Sequence, residues 1–71
     1  MHMDERRKIA QQAYAKASRF LVHQRQWERS ATAAIGAALI CAQTAILDQG
    51  GLLDDFQEEL GVIHSRLSAE C

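Results

Sequence analysis

Ala31-Thr-Ala-Ala-Ile-Gly-Ala-Ala-Leu-Ile-Cys-Ala-Gln-Thr-Ala-Ile-Leu47 runs for 17 residues without a charge, bracketed by Arg29 and Asp48. A helix that is apolar around its whole circumference has to be covered on every side, by protein or by lipid. The rest of the chain therefore reads as the means of covering this rod. Upstream, Ala10, Ala13, Ala17, Phe20, Gln24 and Trp27 lead into Ala31, Ala34, Ala38, Cys41 and Ala45 at alternating spacings of three and four. That is a helical a/d seam, since a strand would repeat every second residue. Most of its members are alanine, so a partner helix can come close. Tyr14, Leu21, Ile35, Leu39, Ala42 and Ile46 widen the stripe, most of all after residue 31.

The clear break is Asp48-Gln49-Gly50-Gly51. A glycine placed after the last periodic residue supplies the left-handed C-cap conformation that ends a helix. A second helix follows. Asp54, Asp55, Glu58 and Glu59 crowd its opening turns, where the helix dipole favours carboxylates. Its apolar stripe is Leu53, Phe56, Leu60, Ile63 and Leu67. A connection this short makes the two helices antiparallel neighbours.

Counting outward from the turn, the second helix ends near Ser30. It can cover one side of the rod and little else. A continuous first helix would then project residues 4–29 beyond it by roughly 35–40 Å. Tyr14, Phe20, Leu21 and Trp27 lie on that projection. Two arrangements cover them. In the first, the chain is an all-α hairpin: a long helix over about 4–48, a turn at 49–51, and a shorter helix over about 52–69. Two copies pack antiparallel into a four-helix bundle around 31–47. In the second, the chain bends near Arg29-Ser30, with Ser30 as a new N-cap, and closes into a three-helix bundle. The seam keeps its phase through Ser30 and no Gly or Pro marks a loop, so the expected form is the dimeric hairpin. Its dimer or partner surface is expected at Tyr14, Ala17, Phe20, Leu21, Gln24, Trp27, Ala31 and Ala34. The hairpin core is expected at Ile35, Leu39, Ile46, Leu53, Phe56, Leu60, Ile63 and Leu67.

Seventy-one residues make one small domain, of a size that commonly needs a disulfide, a metal or a partner subunit for support. Cys41 and Cys71 are too few and too badly placed for a disulfide framework, which points to a reducing, cytoplasmic setting. The polar N-terminus has no secretory h-region. Met1-His2 reads as a cloning remnant, with the native start at Met3. The net charge of −1 conceals two unlike halves. Seven bases stand against three acids up to residue 30, and Arg66 alone stands against six acids after it. Such halves attract each other, within one molecule or between two.

The chemistry-bearing residues have simpler readings. The rod is at the short limit for a membrane span, with Ala34, Ala38 and Ala42 at small-xxx-small spacing, but Thr32, Gly36, Gln43 and Thr44 lie within it. A buried helix accounts for it better. Arg6, Arg7, Lys8, Lys16, Arg19, Arg25 and Arg29 could meet phosphates, yet the pI of 6.2 is far from a nucleic-acid-binding signature. The acidic cluster has neither EF-hand nor Glu-x-x-His spacing. His23 and His64 lack triad partners, Cys41 sits among apolar residues, and Gly50-Gly51 is no phosphate loop. No enzyme activity, metal, cofactor or small-molecule substrate is expected. The residues point to a protein–protein interaction module: a small helical regulator, chaperone, adaptor or inhibitor that packs against a helix of a partner. Nucleic-acid association through the basic N-terminal helix is the alternative, and a membrane span at 31–47 comes third.

Overall fold

The computed structural model describes residues 3–70, so the reading of Met1-His2 as a cloning remnant, like Cys71, lies outside the described residues. All regular structure among them is helical: α1 (Met3–Arg25), α2 (Ala31–Asp48), one 3-10 turn (Leu53–Phe56) and α3 (Gln57–Glu70). The three helices pack side by side into a body of 39 × 19 × 16 Å.

The first helix does not run through to residue 48. After Arg25 the chain tightens: the N–H groups of Trp27 and Glu28 both donate to the Gln24 carbonyl, at 2.9 and 2.8 Å. Ser30 then takes extended backbone (φ −97°, ψ 118°), and its Oγ accepts from the Ala33 N–H at 3.3 Å, an N-cap that opens α2. The physical reason lies in the seam. Folding back sets its two halves against each other, with Ala13 and Ala17 from α1 and Ala34, Ala38 and Ala42 from α2 losing all contact with water. Alanine lets the backbones approach, and the apolar burial that a second copy would provide to a straight helix is obtained within one chain. Trp27, in phase with the seam by count, instead stands at the corner, 76% exposed.

The second turn follows its local signals. Gly50 adopts φ +81°. Its N–H donates to the Leu47 carbonyl at 3.0 Å, and the Gly51 N–H donates to the Ile46 carbonyl at 3.0 Å. This pair of bonds is the Schellman arrangement, which satisfies the last carbonyls of α2. Gly51 is buried: a Cβ there would stand 2.9 Å from both Ile46 Cγ2 and Phe56 Cε2. The close approach lets Phe56 seat fully inside. Behind it Leu60, Ile63 and Leu67 carry the dry face of α3 between α1 and α2.

Polar clamps fasten α3 to α1 near both of its ends. Arg6 Nε stands 2.8 Å from Glu59 Oε1, and Arg6 Nη2 donates to Glu59 Oε2 at 3.0 Å and to the Asp55 carbonyl. Its guanidinium lies 5.6 Å from the centre of the Phe56 ring. At the far end Tyr14 Oη and Ser18 Oγ donate to the Glu70 carboxylate, and Arg25 donates to the Glu70 carbonyl. The unlike charge of the two halves is thus spent partly inside the molecule.

The rod itself is not wrapped all round. Ala34, Ala38, Ala42, Ala45 and Ile46 point inward, but Ala33, Gly36, Ile40, Thr44 and Leu47 meet water. Two neighbouring helices screen only part of a cylinder. The remaining arc tolerates solvent because it is mostly alanine, glycine and threonine, and only Ile40 and Leu47 bring bulk to it.

Candidate interaction surface

The sequence-derived interface divides three ways. Ala17, Leu21 and Ala34 are inside the chain's own core and offer nothing to a partner. Tyr14, Phe20 and Gln24 are half-buried, and Trp27 and Ala31 are exposed. The correction has the same cause as the break at residues 26–30: the seam chosen for a second copy is used by α1 and α2 on each other. Of the residues expected in the hairpin core, Ile46, Phe56, Leu60, Ile63 and Leu67 are buried. Ile35, Leu39 and Leu53 pack against them from the edge.

What remains exposed is a face that the seam count passes over. Residues 33, 36, 37, 40, 44 and 47 recur at helical spacing on the outward arc of α2. Ile40 is 63% exposed and Leu47 52%, and Ala37 is half-buried beside them. No charge lies on this arc. Its one hydroxyl, Thr44 Oγ1, donates to the Ile40 carbonyl of the same helix at 3.0 Å. A hydroxyl already bonded can lose its water at small cost, so the arc can be dried by a packing partner. Gly36 adds a flat place, since a Cβ built there would meet nothing within 4 Å. The signals for this surface were a mid-helix glycine with no turn to make and a threonine able to bond back.

Two grooves flank the arc. Toward α1, Ala37, Ile40, Cys41, Thr44 and, at the groove's end, Asp48 face Lys16 and Phe20. Toward α3, Leu39 and Gln43 face Gln57, Leu60, Gly61 and His64. The third groove, between α1 and α3, is polar at its rims: Arg7 and Arg66 with Glu58 and Glu59, and the Arg66 guanidinium 5.4 Å from the centre of the Tyr14 ring. Of the basic residues of α1, Arg6 pairs with the Glu59 carboxylate and Arg25 donates to the Glu70 carbonyl, while Lys8, Lys16 and Arg19 are exposed. Among the described residues, no three His, Cys, Asp or Glu side chains converge as a metal site would require.

Charge is distributed unevenly along the long axis. The first turns of α1 and α3, the 3-10 turn and the end of α2 share one end of the body. There seven carboxylates (Asp4, Glu5, Asp48, Asp54, Asp55, Glu58, Glu59) oppose Arg6, Arg7 and Lys8, a side-chain balance of −4. Over the rest of the length Lys16, Arg19, Arg25, Arg29 and Arg66 oppose Glu28 and Glu70, a balance of +3.

No protein-family model matches the chain, and neither a curated protein nor a solved structure gives a significant match.

Proposed function

We propose that this protein is a non-enzymatic interaction module that docks another polypeptide, by helix–helix packing, on the outward face of α2. The observation that carries the reading is the absence of any charge on that face together with the internally bonded Thr44 hydroxyl. Such a strip loses little when dehydrated, and Ile40 and Leu47 supply the apolar area that a helix laid along it would cover. The expected roles of small regulator, adaptor or chaperone all reduce to this one physical act, and so does the expected homodimer.

Two other readings have less support. Nucleic-acid binding needs a free basic stripe; Arg6 and Arg25 are held by α3, and the exposed Lys8, Lys16, Arg19 and Arg29 belong to a chain of net charge −1. Membrane crossing has only length and composition behind it: α2 is 18 residues long with a mean hydropathy of 1.5. In-cell photo-crosslinking tests the choice. A photoreactive side chain at position 40 is expected to yield adducts with protein, whereas one at exposed Ala15 on α1 is expected to yield none. Adducts from position 40 to lipid or nucleic acid, or no adduct at all, refute the reading.

A further inference from the structure

We infer that the occupant of the α2 face is a second copy of this chain, with its α2 antiparallel to the first; the inference rests on the docking role just proposed. Charge carries it first. Arg29 and Asp48 stand at opposite ends of the uncharged face. A two-fold axis crossing α2 between Ala37 and Ile40 puts Arg29 of each copy beside Asp48 of the other, so the attraction occurs twice. The same rotation lays the −4 end of one body along the +3 length of its neighbour. A parallel pairing would set −4 against −4 and Arg29 against Arg29, so electrostatics alone picks the direction.

Gly36 is compatible with the antiparallel pairing, as one of two open mid-helix glycines, the other being Gly61 on α3, outside this face. Glycine in mid-helix is unfavourable, and nothing in the chain approaches the place where its Cβ would be. The fold of one chain gives no reason for a glycine there. A second backbone crossing at this point would fit the open place, because its approach distance is set by the side chains it meets.

The second observation is the placing of the large exposed apolar side chains. Trp27 stands at the +3 end, and Leu47 and Leu52 stand at the −4 end, more than half exposed. Antiparallel packing brings the end that carries Trp27 in one copy alongside the end that carries Leu47 and Leu52 in the other. Trp27 is the sole tryptophan, so it reports on its own burial.

Sedimentation equilibrium of the full chain in plain buffer, followed with tryptophan fluorescence over a concentration series, tests the inference. A dimer is expected, with emission moving from the water-exposed toward the apolar range as it forms. Ile40→Glu is expected to leave a monomer of unchanged helix content, since Ile40 is outside the chain's own core. At low salt, Arg29→Glu and Asp48→Arg are each expected to raise the dimer Kd about tenfold, as two rim pairs turn from attraction to repulsion. Combining the two changes is expected to restore it. A chain that stays monomeric at every concentration overturns the second-copy assignment, while the docking role stands or falls separately by what position 40 crosslinks to. A dimer indifferent to Ile40→Glu overturns the face, and one indifferent to both single reversals overturns the antiparallel direction.

Discussion

Alanine at Gly36 and alanine at Gly51 add the same carbon to two opposite surroundings. At Gly36 the new Cβ meets nothing within 4 Å. The substitution then reports intrinsic helix propensity, a gain of about 0.8–1 kcal/mol over glycine. For a domain of this size that raises Tm by roughly 4–8 °C. At Gly51 the Cβ would lie 2.9 Å from Ile46 Cγ2, 2.9 Å from Phe56 Cε2 and 3.2 Å from the Ile46 carbonyl oxygen. Neither Ile46 nor Phe56 has any exposed surface, so neither can swing outward. Overpacking of this kind costs about 1–3 kcal/mol, offset by the roughly 0.4–1 kcal/mol that alanine gains by restricting the unfolded chain. The net loss is about 0–2.6 kcal/mol, a fall in Tm of up to roughly 20 °C. Thermal melts by far-UV circular dichroism measure both, in the Ile40→Glu background so that the fold of a single chain is read. A Gly51→Ala chain that melts above its parent, or a Gly36→Ala chain that melts below it, refutes the reasoning.

Phe56→Ala empties the deepest site of the core and should cost about 3–5 kcal/mol. A 71-residue chain has roughly 4–10 kcal/mol in all, so the variant is expected to lose its cooperative melt or most of its urea midpoint. Ser30→Ala removes the cap on α2 and should lower stability by about 0.5–1 kcal/mol with an unchanged m-value in urea; Ser30→Asp should recover most of it. Arg6→Met should cost under about 1 kcal/mol, because the pair with Glu59 is partly exposed, and its gap from the parent should narrow in high salt.

The end of α2 and the apolar face of α3 were legible because their determinants are local. Gly50 takes the left-handed conformation that a C-cap needs, and Leu53, Phe56, Leu60, Ile63 and Leu67 mark one face whatever lies against it. The expected helix start near residue 52 is instead a 3-10 turn over Leu53–Phe56, with α3 opening at Gln57. The interruption at Gln26–Arg29 was not legible, although Ser30 carried its cap signal. Apolar phase runs from Gln24 over Trp27 to Ala31 with no Gly or Pro, and a straight helix satisfies every local rule. What decides against it is how closely Ala13 and Ala17 can approach Ala34, Ala38 and Ala42, a property of two helices together that spacing along one cannot express.

The outward face of α2 was hidden for a related reason. An uncharged ring is visible in the residues, but which arc of it touches protein depends on where the flanking helices are aimed. Ser30 directs α1 back along one side and the Gly50-Gly51 turn directs α3 along another. The two caps thereby select the open arc, the one neither helix reaches, and it is there that Gly36, Ile40 and Leu47 stand in water. A surface chosen in this way can be moved without touching a residue on it. Weakening either cap should change which part of α2 is available to a partner, so Ser30→Ala is expected to lower the affinity of association through position 40 as well as the stability of the fold. A dimer Kd that stays constant while Ser30→Ala destabilises the chain would show that the face is independent of the turns that frame it.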